Sequence, residues 1–175
     1  MITALTPATA REHAHELGDL LAATVNDGAS VGFLAPLTTA DATAWWHATM
    51  PRLGPGHHAW IARDGERVVG TVQLIRAAMP NSRHRADIAK LMVHPDARGR
   101  GLARALLKTA EQAAAELGVT LLVLDTEVGS PAERLYTVEG WKRVGEIPGY
   151  ALDVHGKPQA TMVFCKSLPG ATIAR

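Results

Sequence analysis

Only one cysteine, Cys165, occurs among the 175 residues, so no disulfide can form within the chain and nothing points to an oxidising compartment. The opening segment Met1–Pro7 lacks a basic stretch followed by an apolar run, which argues against a secretory leader. Apolar runs such as Leu121–Leu124 are far too short to cross a bilayer. Charge of one sign is lacking too: the formal net charge is +1, which gives no global field for nucleic acid or an anionic membrane. Repeats, low-complexity tracts and long linkers are also missing. These absences leave a soluble protein expected in the cytoplasm, with neither nucleic acid nor membrane as partner. The apolar fraction of 47% and charged fraction of 20% are ordinary for a folded chain, and the length suits a single domain over residues 1–175.

What is present reads as alternating helices and strands. Residues 2–5 form a short candidate strand, and residues 8–26 read as a helix, with Ala14, Leu17, Leu20, Leu21 and Val25 near helical spacing. The run Gly28-Ala29-Ser30-Val31-Gly32-Phe33 breaks that pattern as a loop. A second helix is expected from near Thr39 to before Pro51. Two apolar-rich strands, 59–63 and 66–74, flank the hairpin signal Asp64-Gly65, and a third returns over 83–93. Strict alternation in that third strand puts Asp87, Ala89, Leu91 and Val93 on one face.

Leu102, Leu106, Ala110, Ala113 and Leu117 lie on one helical stripe, and Gly118 suits the C-terminal cap. The continuous apolar run 119–124 predicts a buried central strand with Asp125 at its carboxyl end. A strand, a helix and another strand imply a right-handed crossover and a parallel pair. A short helix follows from Pro131, with Ser130 as N-cap, and then two further strands, 141–147 and 160–166. The fold class is α/β, with a mixed and mostly antiparallel sheet.

Chemistry is concentrated at the join before the crossover helix, Arg98-Gly99-Arg100-Gly101-Leu102-Ala103. Glycines permit positive φ and close approach of a ligand to the backbone. The first turn of the helix then presents unpaired N–H groups and the positive end of its dipole, a good phosphate site. Three nearby arginines, Arg98, Arg100 and Arg104, add donors for a polyanion. A dinucleotide-binding turn fits poorly. Residues 94–98 separate the glycines from the strand, and position 104 carries arginine where a small residue is required.

The Arg-x-x-Gly-x-Gly pattern, following a strand that ends Leu91-Met92-Val93-His94-Pro95, resembles the acetyl-CoA signature of the GNAT superfamily of N-acetyltransferases. The order of elements resembles that fold over nearly the whole chain, including a central parallel strand pair that splays apart between flanking helices. Residues 28–33, 90–103, 124–130 and 144–150 are similar to a subgroup of tabtoxin-resistance acetyltransferases. The resemblance implies acetyl-CoA as co-substrate and no metal. It also implies that the backbone of Leu91, Met92 and Val93 holds the pantetheine arm. The N–H groups of Arg98, Gly99, Arg100, Gly101, Leu102 and Ala103 would take the pyrophosphate, and Ser130 would contact the cofactor. An N–H near Val93 would stabilise a developing oxyanion.

By the same resemblance Asp125 and Asp87 are candidate proton acceptors for the attacking amine, Asp87 standing where the subgroup has glutamate. Tyr136, on the short helix, is the candidate donor to the departing thiolate. Each has a plainer reading: Asp125 as a cap, Asp87 as an arginine-paired strand residue, Tyr136 as core. His13 with His15, and His57 with His58 in a Pro/Gly-rich loop, lack metal-site spacing. Cys165 reads as an inert thiol, and Trp45 and Trp46 as wall or core.

The expected activity is acetylation of a small-molecule amine, such as a toxin or antibiotic. The alternatives are a protein N-terminus or lysine as acceptor, or a CoA-binding regulatory module without turnover. Either a monomer or a homodimer is compatible with the sequence.

Overall fold

A computed structural model describes residues 1–169. Among the described residues seven strands form one sheet: β1 (Ile2–Ala4), β2 (His57–Asp64), β3 (Arg67–Arg76), β4 (Arg85–Val93), β5 (Leu121–Glu127), β6 (Lys142–Leu152) and β7 (Pro158–Ser167). Five helices flank it: α1 (Pro7–Glu12), α2 (Ala14–Asn26), α3 (Thr39–Thr49), α4 (Leu102–Glu116) and α5 (Pro131–Val138). The sheet order is β1-β2-β3-β4-β5-β7-β6. Only β4 and β5 run parallel, joined through α4; every other pair is antiparallel. The mixed sheet expected from the sequence is therefore present. Among the described residues no helix is long and apolar enough to cross a membrane.

Two apolar layers cover the two sheet faces. Leu17, Leu20, Leu21 and Val25 of α2 pack with Trp46 of α3 on Ala59, Ile61 and Met92. On the opposite face Leu106, Leu107 and Ala110 of α4 meet Val72, Leu74, Ile88 and Leu122. Of the expected stripe on α4, Leu106 and Ala110 are fully buried while Leu102, Ala113 and Leu117 are partly buried against the same layer, and Leu107 and Ala114 complete the covered face. The two helices on the first face approach closely at Gly18: a Cβ there would stand 2.1 Å from Thr43 Oγ1 and 3.0 Å from its backbone nitrogen. Trp46 Nε1 donates to Leu17 O at 2.9 Å and locks the same contact.

Several boundaries differ from the expectations. The first helix is broken at His13 (φ −96°, ψ 10°), whose ring bonds Glu16 at 2.6 Å. His57 and His58 open β2 instead of lying in a loop. Strand β5 runs on to Glu127, so Asp125 lies inside the strand and not at its end.

The largest difference lies in β4. Thr71 pairs with Met92 but Gln73 with Ala89, so two residues of β4 oppose Val72 alone, and Lys90 takes φ 51°. This bulge resets the alternation of side chains. Ala86 and Ile88 face α4 before it, and Leu91 and Val93 pack against that same layer after it, while Met92 turns towards α2. Asp87 and Ala89 therefore do not share a face with Leu91 and Val93. An extra residue that sequence periodicity cannot register separates them.

Candidate active site

Strands β4 and β5 pair only at Arg85–Leu121, Ala86–Leu122 and Asp87–Val123. Beyond Asp87 the two diverge, β4 bending at Lys90. The backbone groups facing the gap have no ladder partner across it, which in a sheet interior demands another occupant. The divergence opens onto a cleft of about 1060 Å³ lined by Leu91, Met92, Val93, Asp125, Ser130 and Tyr136, and closed on one side by loop 28–34.

Of residues 98–103 only Arg98 lines the cleft; just beyond it Gly99 (φ 76°) and Gly101 (φ 77°) take left-handed backbone conformations, and among the described residues no side chain caps α4. A Cβ at either glycine would meet nothing within 4 Å, so backbone conformation, not space, requires glycine there. The arginines depart from expectation. Arg98 pairs with Asp27 at 2.5 Å, Arg100 with Asp64 at 2.7 Å, and Arg104 with Glu139. Only Arg98 of the three lines the cleft. Each positive charge already has a carboxylate, so an anion at this turn would be met mainly by the amides and the helix dipole.

The acidic candidates lie together. Asp87 is in register with Val123, and Asp125 lies two residues further along the same face of β5. Burial pushes the Asp87 carboxyl above the ordinary carboxylate value, with Arg85 pulling it down and Asp125 pushing it up. Asp125 lines the cleft and is exposed to solvent there. Tyr136 is 5% exposed, with its ring against Trp141 and Phe164 at 5.8 and 5.7 Å between centroids. Burial, aided by Asp125, raises its pKa well above that of free tyrosine, so the phenol remains protonated. It is thus both core and cleft wall. Ser130 likewise fills two positions, accepting from Glu133 N at 3.3 Å as the cap of α5 while lining the cleft.

Lys90 was not singled out by sequence. Its Nζ donates to Val31 O at 2.8 Å and lies 5.6 and 5.3 Å from the ring centroids of Phe33 and Trp45. Burial pushes the ammonium below its usual value, and Asp125 opposes that shift. The bond ties loop 28–34 to β4. A lysine between Ala89 and Leu91, in the apolar second half of β4, was the available signal. Among the described residues no group of three or more His, Cys, Asp or Glu side chains is arranged to hold a metal.

Comparison with known proteins agrees with this geometry. The chain is 34% identical over 122 residues to human N-acetyltransferase 8B, a match covering 66% of this chain and 52% of that protein. It spans about half the length of the curated relatives it matches. A ribosomal-protein-alanine N-acetyltransferase from Brucella melitensis superposes with a TM-score of 0.77 at 20% identity, covering 96% of this chain and 99% of that one. A phosphinothricin acetyltransferase from Sinorhizobium meliloti, solved with acetyl-CoA, gives 0.78 at 17% identity over 100% and 91% of the two chains. These likenesses establish a shared fold. The model of the Acetyltransferase (GNAT) family matches residues 20–141, which includes the uncapped helix start, both splayed strands and Tyr136. The chain belongs to the GNAT family of acetyltransferases.

Proposed function

We propose that this protein transfers the acetyl group of acetyl-CoA to the amine of a small molecule. The observation that carries the proposal is the divergence of β4 and β5 beyond Asp87 and Val123, beside a helix start whose amides have no side-chain cap. A pantetheine arm is extended and rich in amides, so it suits unpaired strand edges; a diphosphate suits the glycine turn. Leu91, Met92 and Val93 would hold the first, and residues 98–103 the second, with Ser130 at the cleft wall.

Acetyl-CoA supplies an activated acyl carbon as a thioester. The protein's own residues do the rest. Asp125 and Asp87 accept the proton that the amine must lose to attack, directly or through water. Backbone N–H near Val93 stabilises negative charge on the carbonyl oxygen as the C–N bond forms. As the C–S bond breaks, Tyr136 donates its proton to the leaving sulfur. Its burial keeps that proton in place until charge develops on sulfur.

A small acceptor is favoured because Lys90 fastens loop 28–34 across the acceptor side, where an extended peptide would need an open groove. Similarity of residues 28–33, 90–103, 124–130 and 144–150 to the tabtoxin-resistance subgroup makes a toxin or antibiotic amine a reasonable member of the class. A panel of amines assayed by thiol release tests the proposal. Turnover with at least one small amine is expected, and transfer to peptides alone would overturn it.

A further inference from the structure

Beside the main cleft lies a second, partly open cavity of about 340 Å³, lined by residues of α3, the turn that follows it, β2, β3 and β4. The two share Ala89 and Lys90, so the bulge forms the wall between them. Gln73 forms part of the floor and is only 2% exposed, yet its Nε2 has no hydrogen-bond partner among the described residues. Its Oε1 is already engaged, accepting from His57 Nε2 at 3.1 Å. Burial lowers the His57 pKa below its usual value, with the neighbouring Arg52 and His58 adding to the shift against the bond to Gln73. A neutral imidazole donating to Gln73 leaves the carboxamide N–H groups without an acceptor on a residue that lines the cavity.

An unpaired buried N–H costs about 1–3 kcal/mol, so such a group is expected to meet an acceptor in the working state. Charge indicates which acceptor. Arg52 and Lys90 both line the cavity, Trp45 forms an aromatic wall, and no carboxylate lines it among the described residues. The acids lie next door: Gln73 is in register with Ala89, and two residues along the same strands Ile75 is in register with Asp87. That step is roughly 7 Å along the sheet. A single small molecule can reach both levels, its amine towards Asp87 and Asp125 and an anionic group towards Gln73 and Arg52.

We infer that this cavity is the acceptor's anion subsite, and that the physiological acceptor is an amine carrying a carboxylate, of amino-acid size. The inference rests on the acetyl-transfer reading and narrows it. Gln73 and Arg52 fix the acceptor's orientation by hydrogen bond and charge, and Trp45 covers its apolar part. Neither touches the reacting bond, so both are specificity residues.

Matched pairs of acceptors test this: L-lysine against cadaverine, L-ornithine against putrescine, and L-alanine against L-alaninamide, each followed by thiol release with acetyl-CoA. The carboxylated member is expected to have a kcat/KM higher by about tenfold or more in at least one pair. Gln73→Glu and Arg52→Gln should each reduce that ratio towards one, through KM more than kcat. Arg52 is exposed, so its variant tests the subsite even if the buried change disturbs folding. Turnover of the uncharged or decarboxylated members at equal or higher efficiency would overturn the inference while leaving acetyl transfer intact. Thiol release with neither member of any pair would overturn the inference too; if other amines still react, the acetyl-transfer reading survives it.

Discussion

At the residue scale, the proposed mechanism divides its chemistry among three side chains, between burial and charge. Tyr136 is packed among aromatic rings and remains a phenol, so in the proposed mechanism it offers a proton as well as core packing. Tyr136→Phe should lower kcat by about a hundredfold while acetyl-CoA affinity changes little, and Asp125→Asn should do the same. Steady-state kinetics with a separate CoA titration checks both; unchanged kcat in both variants would remove the mechanism. Asp87 has an opposite effect on stability. Its pKa is raised in the folded state, so folding favours the protonated form, and its contribution to stability falls as pH rises from the unfolded value through the raised one. Asp87→Asn should therefore raise Tm at neutral pH, with the gain shrinking as pH falls towards about 4, while activity declines. Melting curves across that range decide it.

At the element scale, the contact between α2 and α3 sets the position of α3 and of Trp45, which would line the proposed acceptor side. Gly18 permits that contact because any Cβ would strike Thr43. Gly18→Val should destabilise the protein by about 1–3 kcal/mol, read from urea denaturation, and weaken acceptor binding because Trp45 rides on α3. A variant as stable as the parent would show that the helices can separate at no cost.

The same scale shows what could be read from sequence. The stripe on α4 and the glycines at 99 and 101 were legible because helical spacing and positive φ leave marks in residue type. The bulge at Lys90 leaves none, since any residue can occupy such a position at moderate cost, and it shifts Leu91 and Val93 to the opposite face from the one alternation assigns. The carboxylate partners of Arg98 and Arg100 lie 71 and 36 residues away in the chain, beyond the reach of local pattern. Gln73 was hidden for a similar reason: inside an apolar run it reads as a strand residue, and only the fold reveals which of its atoms lacks a partner.

For the whole molecule, coenzyme and stability should be linked. A ligand that engages the edges of β4 and β5 binds the native state alone, so acetyl-CoA at a hundred times its Kd should add about 2.7 kcal/mol and raise Tm visibly. Absence of any shift at saturation would count against the site. Desulfo-CoA should stabilise comparably, since the amides at 98–103 proposed to meet the diphosphate would do so in both cases.

The bend at Lys90 belongs to a single strand and is anchored by β3 on its far side, so it does not depend on what occupies the space beside it. Docking then needs no prying apart of neighbours. In rapid mixing, the observed association rate should climb in a straight line with coenzyme concentration, with no plateau from a slow opening step. A protein built this way keeps its slot ready at all times, and turnover is left to be governed by chemistry or by departure of products.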